Sequence, residues 1–151
     1  MSFDSFLSNL KTKASELKTG ALKFKNRDFM DATMAGSALI AMADGSITSD
    51  EKQKMVKFIE THDALSVFTT NDVIKSFQDY VGQLEFDNDI GQAKAYQALG
   101  RLKNKDEPAR LVMRMVIAIA AADGKFDDSE KAVASKIARE MGLNPSEFEL
   151  S

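Results

Sequence analysis

Apolar residues recur every three to four positions along almost the whole chain, with polar residues between them. No window alternates with the period of a strand, so the pattern predicts an all-α fold of about seven helices. Phe3, Phe6, Leu7, Leu10, Ala14 and Leu17 mark a first amphipathic helix, with lysines between them and Gly20 expected to end or bend it. A second helix is expected from about Asp28 to Ala43; it is nearly apolar all round at its end, and Gly36 would let a neighbour approach closely. A third begins at Thr48 and carries Met55, Val56, Phe58 and Ile59. The cluster Thr69-Thr70-Asn71-Asp72 reads as the start of the next, with Val73, Ile74, Phe77, Tyr80, Val81 and Leu84 on one stripe. Asp87-Asn88-Asp89 opens a fifth helix weakened by Gly91 and Gly100. Asp106 with Pro108 opens a sixth, and a seventh runs from Asp128 to Met141 with Gly142 as its stop.

Two stretches of this pattern are near copies. Ala43-Asp44-Gly45-Ser46-Ile47-Thr48-Ser49-Asp50-Glu51-Lys52 returns 79 residues later as Ala122-Asp123-Gly124-Lys125-Phe126-Asp127-Asp128-Ser129-Glu130-Lys131. Each follows an Ala-rich apolar run and leads into a charged amphipathic one. The expected organisation is therefore a single domain over 1–151, internally duplicated as helix–turn–helix units at about 28–60 and 107–141. Pseudo-two-fold symmetry would place helices two and six centrally, and a basic amphipathic helix over 1–25 would precede the repeat.

Each turn has a structural explanation. Gly45 and Gly124 suit a left-handed helix end, while Thr48-Ser49-Asp50-Glu51 and Asp127-Asp128-Ser129-Glu130 are capping boxes. Asp44 and Asp123 are less well explained, because an acid at a helix C-terminus faces the negative end of the dipole, at a cost of about 0.3–1 kcal/mol. Set against a twelve-place calcium loop, Asp44, Gly45 and Glu51 take places five, six and twelve, as do Asp123, Gly124 and Glu130. Places one and three fail, holding Ile40 and Met42 in one copy and Ile119 and Ala121 in the other. Each turn is half of a loop. Two facing turns could pool Asp44, Glu51, Asp123 and Glu130 as a site for a hard divalent cation such as calcium or magnesium, or for a basic partner.

Composition narrows the alternatives. With 44% apolar and 28% charged residues, the chain has the make-up of an ordinary globular domain. There is no cysteine, which removes disulfides, thiolate metal sites and thiol redox chemistry. The single histidine, His62, reads as a helix-end cap, and the eight methionines read as core filling rather than soft-metal ligands. No nucleophile, phosphate-loop or dinucleotide motif is present, so neither an enzyme nor an organic cofactor is expected. Net charge is −3, yet residues 1–30 carry six basic groups against three acidic ones. The acidic body argues against nucleic acid. The basic segment over 3–25 leaves peripheral membrane contact open as an alternative use, with the turns then purely structural. Met-Ser-Phe-Asp is not a secretory start, and no apolar run approaches the roughly 18–20 residues of a membrane span. A cytoplasmic location is expected, possible contact with the inner face of the membrane included.

The order of a basic N-terminal helix, Phe24-Lys25-Asn26, Ala43-Asp44-Gly45, Glu51-Lys52-Gln53-Lys54-Met55, Phe86-Asp87, Ala122-Asp123-Gly124, Phe126-Asp127-Asp128-Ser129-Glu130-Lys131 and Glu147-Phe148 resembles the TerB family of tellurite-resistance proteins. The resemblance implies an internally duplicated helical bundle and a cytoplasmic role in stress responses to tellurite, phage and colicin. It also implies metal binding through the repeated acids, beside the membrane protein TerC and TerD-like proteins. Without a cysteine, the chain cannot reduce or capture tellurite through thiols, so any part in resistance is indirect.

Overall fold

A computed structural model describes residues 3–122 and 126–150. Among them are eight α-helices, two short 3₁₀ helices and no strand. In order these are α1 (Phe3–Thr12), α2 (Ala14–Lys23), α3 (Arg27–Ala41), α4 (Ser49–Thr61), a 3₁₀ helix (Asp63–Val67), α5 (Thr70–Phe86), α6 (Asn88–Gly100), α7 (Asp106–Ala120), α8 (Asp128–Glu140) and a second 3₁₀ helix (Pro145–Phe148).

The count is eight rather than seven because the N-terminal segment is two helices. Lys13 leaves the helical region at φ −108°, ψ 32°, between α1 and α2. The two pieces share α7 but otherwise meet different neighbours, the rings of Phe126 and Phe148 for α1 and the first 3₁₀ helix for α2. Phe3 and Phe6 of α1 meet Phe126 and Phe148, with ring centroids 4.9 and 6.1 Å apart, and α1 also packs on α7. α2 turns its buried Leu17 and Ala21 toward a body that includes the first 3₁₀ helix and α7. Gly20, expected to end or bend the helix, lies inside α2, where a Cβ would stand 2.9 Å from Leu111 Cδ2. Its role is close approach, not termination.

The core is built around α3. Eleven of its residues, from Phe29 to Ile40, are buried, and the helix packs against α5, α6, α7 and α8. A helix apolar on nearly every side has no solvent face to offer and goes to the middle. Thr33 and Ser37, its buried hydroxyls, donate to the carbonyls one turn earlier, Phe29 at 2.9 Å and Thr33 at 2.8 Å, so no donor is stranded. Gly36 lets α7 in: a Cβ there would come within 2.9 Å of Val116 Cγ2. α7 contributes Leu111, Val112, Met113, Met115, Val116, Ile117 and Ile119 to the same core. Met30, Met34, Met42, Met113, Met115 and Met141 are all buried, as core filling requires.

The ends of the elements follow their caps. Asn26 Oδ1 accepts from Phe29 N–H at 2.8 Å and starts α3, and Asp87 Oδ1 accepts from Ile90 N–H at 3.1 Å and starts α6. His62 follows α4, and its Nδ1 accepts from Ala64 N–H at 3.1 Å. Burial lowers the imidazole pKa, which the neighbouring Asp63 only partly offsets. Gly142 closes α8 at φ +78°. Arg110 Nε then holds Glu147 Oε2 at 2.8 Å, tying the terminal 3₁₀ helix to α7.

Candidate functional site

The first turn begins where α3 runs out. Gly45 takes φ +96°, a conformation open to glycine, and donates its N–H to Met42 O at 2.9 Å. Asp44 is exposed, and its Oδ1 accepts from Ser46 N–H at 3.3 Å, a long bond that leaves most of the carboxylate free to face outward. Ile47 drops into the core and pins the turn down. Thr48 Oγ1 then accepts from Glu51 N–H at 3.1 Å while Glu51 Oε1 accepts from Thr48 N–H at 3.0 Å, a complete capping box.

The second turn repeats the chemistry where it is described. Asp127 Oδ1 accepts from Glu130 N–H at 2.9 Å, and Glu130 Oε1 accepts from Asp127 N–H at 3.1 Å. Asp127 also accepts from the Ser129 hydroxyl at 2.6 Å. Phe126 takes the place of Ile47 and stacks on Phe3. Asp123, one of the four expected site acids, lies outside the described residues together with Gly124 and Lys125.

Folding brings the two turns to one place. Asp44 and Glu51 from the first and Asp127 and Glu130 from the second line a single cavity of about 550 Å³. The ends of α3 and α7 and the facing side of α4 complete it. Ile40, Ile47, Met55, Phe58 and Ile119 supply apolar lining, and Lys54 and Lys57 reach it from α4. Of the expected acids, three are therefore placed together. Asp127, the cap of the second box, lines the cavity as well. Met55 and Phe58 were legible as a stripe of α4 at a spacing of three, but the stripe does not reveal that both stay partly exposed.

The acids are not arranged as a finished metal centre. Among the described residues no group of three or more ligating side chains is placed to hold one ion. The reason is local: Glu51 and Glu130 each turn one oxygen back to their own cap amide, and Asp127 serves its helix start.

Asp127 is perturbed by its own capping bonds. The Ser129 hydroxyl, and after it the Glu130 amide, hold its carboxyl below the ordinary aspartate value of 3.8. A lowered folded-state pKa favours the folded protein above that ordinary value, and the advantage fades as pH falls through the lower one. In a carbon-detected NMR titration Asp127 is expected to remain ionised where ordinary aspartates are half protonated. Ser129→Ala should move its midpoint upward; an unchanged midpoint would show that the hydroxyl does not hold the charge.

The N-terminal helices spend their apolar side on the body. Leu10, Leu17 and Ala21 are buried, and Leu22 is the one large apolar residue of the described segment left mostly exposed. Lys131 Nζ lies 4.9 Å from the Phe3 ring centroid, so the arm is also seated on α8. No helix among the described residues is long and apolar enough to cross a membrane.

No solved structure matches the chain. A tellurium resistance protein TerB from an Alcaligenes species is 36% identical over 115 residues, covering 76% of this chain and 94% of that protein. The family model described as tellurite resistance protein TerB matches residues 30–151, which take in both acidic turns and the chain from within α3 onward but not the first two helices. The chain belongs to the TerB family of tellurite-resistance proteins.

Proposed function

We propose that this protein is a non-enzymatic binding module of the tellurite-resistance response, holding a cationic ligand between its two acidic turns. The ligand is a divalent cation of the calcium or magnesium type, or a basic group on a partner protein. One observation carries the reading: Asp44 and Glu51 share a cavity with Asp127 and Glu130, although the turns are far apart in sequence. Capping alone explains why each turn has its glutamate. It gives no reason for the two turns to face one space.

The fold makes the arrangement cheap to build. α3 touches α8 and α4 touches α7, so each unit's second helix packs against the other unit's first. That exchange is what an internal duplication with pseudo-two-fold symmetry would produce, and it supports reading each turn as half of a grip. In this reading the protein works in the cytoplasm beside other Ter proteins, TerC and TerD-like proteins among them. The alternative, a membrane-bound adaptor working through 3–25, has less to stand on because those helices keep their apolar side on the body.

Calorimetric titration with calcium, magnesium, manganese and zinc tests the cation. Heat is expected with at least one ion, and Asp44→Ala/Asp123→Ala is expected to remove it. Silence with all four ions would leave the basic partner as the ligand. Heat that persists unchanged in the double variant would place the ion elsewhere and overturn the site.

A further inference from the structure

The cavity between the turns is more than a ring of acids. A bare ion needs oxygens and water, and has no use for an apolar wall. Here Ile47 and Ile40 form a buried base, while Met55 and Phe58 present partly exposed side chains on α4. At about 550 Å³ the space lies within the range that encloses organic groups. Methionine adapts its shape to an incoming side chain at little cost. The charged lining is Asp44, Glu51, Asp127 and Glu130 against Lys54 and Lys57, a surplus of acid. The complement of an apolar wall under an acidic edge is an apolar residue flanked by lysine or arginine.

We infer that this cavity is a docking groove for an amphipathic basic segment of a partner protein, with an apolar anchor set against Met55 and Phe58 and basic residues meeting the acids of the two turns. The inference rests on the cationic-ligand reading above and names the ligand's class. It follows the helix-in-groove mode of recognition, in which side chains one turn apart enter an apolar cleft and charge fixes the orientation. The same chemistry gives the two lysines a role. Lys54 and Lys57 repel the basic flanks and so limit which segments can enter.

The test is an amide NMR titration of the full chain with a synthetic 18-residue peptide of leucine and lysine arranged as an amphipathic helix. A scrambled peptide of the same composition and hexalysine are the controls. Shifts are expected around the two turns and along α4, with both controls at least tenfold weaker. Met55→Ser or Phe58→Ser should weaken the peptide at least tenfold and leave any ion heat unchanged. Lys54→Gln/Lys57→Gln, a surface change that does not endanger the fold, should tighten it several-fold. Equal affinity for the scrambled peptide, shifts centred elsewhere, or indifference to the lysine change would each overturn the groove. If an ion binds and the peptide does not, the groove falls and the cation reading stands. If neither binds, both fall.

Discussion

Gly91→Ala is expected to lower the thermal midpoint by about 6–12 °C, the equivalent of roughly 3 kcal/mol in a chain of this size. Gly91 is buried in α6 where that helix crosses α5. A Cβ built there stands 2.6 Å from both the Leu84 Cα and the Leu84 N, and 2.9 Å from the Gln83 carbonyl carbon. Those are backbone atoms of a packed helix, so no rotamer change relieves the clash and the two helices must part. α3 rests on both α5 and α6, and the disturbance would reach the centre of the core. Gly82, nine residues earlier in α5, supplies the contrast. It is exposed, and a Cβ there meets nothing within 4 Å. Gly82→Ala should therefore stabilise by about 0.5–1 kcal/mol through helix propensity. Thermal melts of the two variants beside the parent decide the matter. Equal effects would mean that contact with Leu84 does not govern the α5–α6 crossing.

Phe29→Ala should cost about 3–5 kcal/mol. The ring is fully buried in the first turn of α3, with its centroid 6.0 Å from that of Phe68. It joins the central helix to the chain just after the first 3₁₀ helix, and its removal leaves a cavity that rigid helices cannot collapse to fill. Phe86 is the same residue type in the opposite setting, 92% exposed at the end of α5. Phe86→Ala is expected within about 0.5 kcal/mol of the parent. Denaturant unfolding of both variants checks the pair, and a small loss at Phe29 would show that the core repacks around the hole.

The contrast between these residues also marks what could be read from the chain. The stripes through Leu39-Ile40 and Val116-Ile117 announced two core helices because apolar positions on every side leave no other place for a helix to go. Caps were equally legible at Thr48, Asp87 and Asp127, since a short polar side chain ahead of an apolar run has a local bond to make. What depended on distant partners stayed hidden. Lys13 breaks the N-terminal helix because α1 and α2 meet different surfaces, and nothing within residues 3–23 states which surfaces those are. Gly91 looked like a weakness in α6, yet it is the reason α5 can lie so close.

The candidate site divides in the same way. Its acids were visible through repetition, and the structure sets Asp44, Glu51 and Glu130 around one cavity. That Asp127 lines the same cavity was harder to single out, because its capping bond accounts for an aspartate at that place. Met55 and Phe58 fit a core stripe and gave no sign of facing a cavity. An apolar stripe records that a face is covered. It does not record whether the cover is the protein's own chain or another molecule.

The most direct test of the shared site is its stoichiometry. Manganese binding can be counted by calorimetry and by the loss of free-ion electron resonance, in the parent and in Asp44→Asn, Asp127→Asn and the double variant. Asparagine keeps the turn and the cap, so only charge is withdrawn. One ion per chain, weakened at least tenfold by either single change, is the result expected if the turns act together. Two ions per chain, each lost with its own turn and indifferent to the other, would contradict it.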